Sequence, residues 1–136
     1  MPRTASEVAE HDQLVLMMAM FFQKRGYSDI RADIPGWTTP SEVHWQNQPD
    51  QRYYPDLTCR DNAGVFVVLE AESCATLGDE HTHEQFRIFR AYADTNGGRF
   101  ETVIPSKCGD QDARTLLASH TQRWGIKVDN VWTPSA

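Results

Sequence analysis

An α/β domain with a mixed β-sheet flanked by helices is the fold class predicted, on three observations. A helical stripe of apolar residues opens the chain, short apolar or alternating segments bounded by turn residues fill its middle, and strands then alternate with two capped helices. The elements run α-β-β-β-α-β-α-β. With 136 residues, the chain suits a single domain over residues 1–136, large enough for one core and too small for two.

The first helix begins where Thr4 and Glu7 form a capping-box pattern, and Leu14, Met17, Met18, Phe21, Phe22 and Arg25 follow at helical spacing until Gly26. The Met and Phe stripe reads as a face packed on a sheet rather than as a ligand or membrane surface. Residues 27–34 alternate weakly and stop at Pro35 and Gly36, as a short strand does. Residues 37–52 are polar, with Trp37, Pro40, Trp45 and Pro49, and are expected to form a long loop.

A hairpin is expected next: a strand over 53–60, turn chemistry in Asp61, Asn62, Ala63 and Gly64, and a strand over 65–72. The second strand is apolar at nearly every position and belongs in the centre of the sheet. Asp79 caps a helix reaching about Asp94, ended by Asn96, Gly97 and Gly98. A strand over 100–105 follows. Asp110 or Asp112 caps the last helix, which carries Leu116, Leu117, His120 and Trp124 and ends at Gly125, and residues 126–132 form a final strand.

Composition narrows the setting. Hydrophobic residues make up 40% and charged residues 24%, a globular balance. Cys59, Cys74 and Cys108 are an odd number at unrelated spacings, so free thiols and a reducing compartment are expected. No segment approaches the roughly 18 apolar residues of a membrane span, and the start lacks a signal-peptide core. A soluble, cytoplasmic protein is the expectation. Nineteen acids against thirteen bases give a net charge of −6, which argues against general attraction to nucleic acid. Arg87, Arg90 and Arg99 lie close in sequence and read as a charged, solvated face.

The chemistry is concentrated at the end of the central strand. An apolar run that finishes in Glu70 and Glu72 places two carboxylates where burial is costly unless something compensates them. Strand alternation points both to one face, and Asp56 on the neighbouring strand is within reach. Three converging acids would form an oxygen-rich pocket suited to a hard divalent cation.

Pro55 and Asp56 in the middle strand of a meander, with Glu70-x-Glu72 in the next and this element order around them, resemble the PD-(D/E)XK nuclease superfamily, which includes restriction endonucleases and Holliday-junction resolvases. The resemblance covers residues 5–105 and implies a restriction endonuclease-like three-layer core. It also implies Mg²⁺ or Mn²⁺ held by Asp56 and Glu70, hydrolysis of DNA phosphodiester bonds, and a homodimer cutting both strands. Glu72 stands where the family has lysine, so a lysine-free site would need a carboxylate base such as Glu72 itself. An acid from the first helix often joins such sites; Glu10 is the preferred candidate and Asp12 the other. Gln85, four residues before Phe89, is similar to a Gln-x-x-x-Tyr element of some nuclease branches and joins the candidate catalytic residues.

Other chemistries are weaker. His81-x-His83 with Cys74, Cys108 or His120 contains zinc-ligand types but no Cys-x-x-Cys pair. No nucleophile elbow, phosphate-binding glycine loop or dinucleotide fingerprint is present. Two alternatives stand beside the nuclease reading: a catalytically inactive nuclease-like fold serving as a nucleic-acid-binding or protein-assembly module, and an unrelated α+β domain whose Glu-x-Glu faces solvent.

Overall fold

The computed structural model describes residues 4–45 and 48–134. Residues 1–3, part of the stretch read for a leader, and residues 46–47, part of the expected loop, lie outside the described residues. Helix α1 (Ala5–Lys24) starts at Thr4, whose hydroxyl accepts the Glu7 N–H at 3.2 Å, the N-cap half of the predicted capping box, and itself donates to Glu7 Oε1 at 3.1 Å. Its inward face carries His11, Leu14, Val15, Met18, Ala19 and Phe22 at three- and four-residue spacing.

Among the described residues, the main sheet contains five strands. Strand β1 (Ser28–Ala32) pairs antiparallel with β4 (Leu57–Arg60), which pairs antiparallel with β5 (Phe66–Ala71). Beyond β5 the sheet is parallel, through β6 (Arg99–Val103) and β9 (Asn130–Trp132). Helices α2 (Glu80–Thr95) and α3 (Ala113–Trp124) are capped by Asp79 and Asp112, and α3 ends at Gly125 with φ 69°. That left-handed turn suits glycine, which has no Cβ to clash.

Three layers follow from the two sides of β5. Val67, Leu69 and Ala71 pack with Leu57, Cys59 and the inward face of α1. Val68 packs on the other side with Phe86, Phe89, Phe100, Ile104 and Leu117, drawn from α2, α3 and the neighbouring strand. Each Leu or Phe fully removed from water adds roughly 1.5–3 kcal/mol, so a strand apolar on both faces is fixed at the centre of the sheet. The α/β class, the mixed sheet and its central strand are as the sequence predicts.

The connections differ from expectation. The expected loop over 37–52 contains a two-stranded antiparallel ribbon, β2 (Val43–Trp45) and β3 (Gln48–Tyr53), outside the main sheet. Its sequence is mostly polar and offers no period-two alternation to read. Val43 anchors it in the second core cluster, and the Tyr53 hydroxyl donates to Glu84 on α2 at 3.1 Å. The expected strand over 53–60 is broken: β3 ends at Tyr53 and β4 begins at Leu57, with Pro55 lacking an N–H between them. A second ribbon, β7 (Lys107–Cys108) with β8 (Gln111–Asp112), precedes α3.

The cysteine expectation is corrected. Cys74, after β5, and Cys108, on β7, form a disulfide with Cα atoms 5.5 Å apart, and Cys59 is the free, buried thiol. A bridge across 34 positions, from the segment after β5 to β7, follows from tertiary contact, which local spacing does not encode, and the cysteine count no longer supports a reducing compartment. Among the described residues, no helix is long and apolar enough to cross a membrane.

Candidate metal centre

The β4–β5 hairpin positions the first two site residues. Its register pairs Leu57 with Leu69, which sets Asp56 and Glu70 facing each other just beyond that pair. The Asp56 main-chain N–H donates to Glu70 Oε1 at 2.9 Å, and the Ala71 N–H donates to Asp56 Oδ2 at 2.8 Å. Two carboxylates from different strands therefore meet, each held by the other strand's backbone.

Electrostatics make this contact demanding. Glu70 is 2% exposed, and its carboxyl is pushed well above the ordinary carboxylate range, first by burial and then by the charges of Asp56 and Glu72. Among the described residues, neither Asp56 nor Glu70 forms an ion pair with lysine or arginine. Nearby, the Asp33 N–H donates to the Asp56 carbonyl at 2.9 Å, and the Asp33 carboxyl is raised by partial burial and by Asp56. A like-charged pair out of water retains a proton or takes a cation.

Glu72 does not complete a three-acid pocket. It lies past the end of β5, its N–H donating to the Val103 carbonyl at 3.0 Å, and its side chain is 1% exposed. The Thr76 hydroxyl donates to Glu72 Oε2 at 2.9 Å, and the Thr82 hydroxyl lies 3.2 Å from Glu72 Oε1 while also donating to the Thr76 carbonyl at 2.7 Å. The loop after β5 and the first turn of α2 thus compensate this carboxylate with neutral donors. Among the described residues, no group of three or more His, Cys, Asp or Glu side chains is arranged to hold a metal ion.

The helix-borne member also differs from expectation. Glu10 is exposed on α1, and the α1 residue at Asp56 is His11. His11 Nε2 is 3.0 Å from Asp56 Oδ1 and Nδ1 is 3.2 Å from Asp12 Oδ1. The signal was present in the sequence: His11 shares the inward spacing of Leu14, Val15, Met18 and Phe22, whereas Glu10 falls one position off that face. Gln85 is half-buried on α2, one turn after Thr82. Among the described residues, no hydrogen bond links it to Asp56 or Glu70.

The remaining candidates are engaged elsewhere. Arg90 pairs with Asp94 and Asp129, and Arg99 pairs with Asp61 and Glu101. Carboxylates thus neutralise Arg90 and Arg99, whereas Arg87 is exposed on α2. Of the residues weighed for zinc, Cys74 and Cys108 are bridged, and His83 and His120 stack on Trp124 at 4.7 and 5.7 Å.

What remains is a pair of carboxylates. Mg²⁺ commonly uses one or two carboxylates and keeps several waters, and Asp56 with Glu70 offers that donor set. No protein-family model matches the chain, and no curated protein sequence does. Among solved structures, the chain is similar to one titled "Structure of EndoMS-dsDNA2 complex", at 16% identity and a TM-score of 0.37. The match covers 88% of this chain and 44% of that one, so this chain spans less than half its length.

Proposed function

We propose that Asp56 and Glu70 hold one Mg²⁺ or Mn²⁺ and that the protein is a metal-dependent endonuclease hydrolysing phosphodiester bonds in DNA. The observation carrying this reading is the buried contact between two carboxylates, one just before β4 and one on β5, with no lysine or arginine among the described residues paired to either. Replacing the retained proton by a divalent cation would neutralise both acids. DNA as substrate rests on the resemblance of Pro55-Asp56 and Glu70-x-Glu72 to the nuclease motif, and the net charge of −6 implies that binding depends on local rather than global attraction.

When bound, the cation would polarise a phosphodiester oxygen and lower the pKa of a coordinated water. Asp56 and Glu70 bind it; Asp56 is fixed by the Ala71 N–H, and Glu70 by the Asp56 N–H. Glu72 adds negative charge that favours a cation at Glu70, while its own oxygens are occupied by threonine hydroxyls. Glu10, being exposed, is outside this reading, and Gln85 has no assigned contact with the pair. A homodimer, if it forms, would be read by sedimentation.

The test is incubation of the purified protein with supercoiled, linear, branched and single-stranded DNA in Mg²⁺ or Mn²⁺. Cleavage is expected, and Asp56→Asn and Glu70→Gln should each abolish it without unfolding the chain. Failure to cut every form sinks the enzyme reading. A second reading, a nuclease-like fold without catalysis acting as a binding or assembly module, is favoured by Glu72: at the lysine position stands a buried acid already supplied with hydroxyl donors. Calorimetry separates the two, since a vestigial site takes up neither ion at millimolar concentration.

A further inference from the structure

We infer that His11 is a positioning residue of this centre, its Nε2 fixing the orientation in which the Asp56 carboxylate meets a divalent cation; the inference rests on the metal-binding reading above. The inward face of α1 is otherwise apolar, with Leu14, Val15, Met18, Ala19 and Phe22, so packing alone does not call for an imidazole there. His11 is 7% exposed and stands 3.0 Å from Asp56 Oδ1. Its other nitrogen faces Asp12 Oδ1 at 3.2 Å, so the ring is engaged at both ends and resists rotation.

Asp56 is consequently held from two layers of the fold. The backbone of β5 reaches Oδ2 through the Ala71 N–H, and α1 reaches Oδ1 through His11. Each carboxylate oxygen has two lone pairs, so one donor on each leaves a second on each for a cation. Hydrogen-bond partners of ligating side chains set their orientation, and their loss typically weakens metal binding by about 10–100-fold. The sequence sought a third ligand on the first helix; the structure assigns that helix the support of an existing one.

The test is calorimetric titration of the full chain with Mn²⁺, together with thermal melts of the metal-free forms. His11→Leu fills the apolar face without a donor, and His11→Gln presents an N–H near the position of Nε2. His11→Leu should weaken Mn²⁺ binding by about 10–100-fold while the metal-free melt remains cooperative, and His11→Gln should recover most of the affinity. Wild-type affinity in His11→Leu, or equal loss in both variants, would overturn the inference while leaving metal binding intact. If the wild-type chain takes up no Mn²⁺, the metal-binding reading and this inference fall together.

Discussion

Two glutamates on neighbouring strands of the same sheet are buried to the same degree and answered in opposite ways. Glu101 on β6 is 1% exposed and Glu70 on β5 is 2% exposed, and β5 and β6 pair in parallel. Around Glu101, the Trp132 indole N–H donates to Oε1 at 2.7 Å, while the Asn130 amide and the Arg99 guanidinium donate to Oε2 at 3.0 and 2.9 Å. Glu70 instead faces Asp56 and Glu72 and receives the Asp56 backbone N–H. One acid is compensated by donors of the fold and serves to join β6 to β9; the other lies against like charges with the Asp56 N–H donated to it.

Removing each acid should therefore move stability in opposite directions. Glu101→Leu leaves the Trp132 and Asn130 donors without acceptors and removes one of two partners of Arg99, which should destabilise the protein by about 3 kcal/mol. Urea unfolding measures it, and a loss near zero would erase the distinction. Glu70→Gln in metal-free protein should do the reverse, stabilising by about 1–2 kcal/mol at neutral pH because it ends the like-charge contact while keeping an acceptor for the Asp56 N–H.

The same pair predicts a pH dependence of definite sign. Above 4.5, the ordinary value for Glu70, the unfolded chain releases a proton that the folded chain keeps, so the folded state binds more protons and loses stability as pH rises. The advantage of Glu70→Gln over wild type should be small below pH 4.5 and grow above it, as denaturant melts at successive pH values would reveal. An advantage that shrinks with rising pH would mean that Glu70 is already neutralised as Glu101 is. A smaller effect sharpens the picture for the third acid: Thr76→Val removes the hydroxyl donating to Glu72 Oε2 and should cost on the order of 1 kcal/mol by the same urea measurement.

What could be read in advance follows the range of the forces involved. Caps and stops are local, and Thr4, Asp79, Asp112 and Gly125 act where the sequence places them. The Asp56–Glu70 contact was legible because one tight turn at Asp61 to Gly64 fixes the hairpin register. His11 follows the helical spacing of the buried face of α1, although it is not an acid. The Cys74–Cys108 bridge and the contacts of Glu101 with Asn130 and Trp132 join segments whose proximity only the assembled fold creates. The ribbon over β2 and β3 hid for a different reason: its mostly polar sequence carries no period-two signature, and Val43 meets its core partners only in the assembled fold.

The most direct measurement is the thermal melt of metal-free protein at neutral pH, with and without Mn²⁺, for wild type and Glu70→Gln. If Asp56 and Glu70 bind the cation, free Mn²⁺ at about 100 times Kd adds roughly 2.7 kcal/mol. The wild-type Tm should then rise by several degrees, and that of Glu70→Gln should barely move. A wild-type Tm indifferent to Mn²⁺, or an equal rise in both proteins, would contradict a cation site at the Asp56–Glu70 pair.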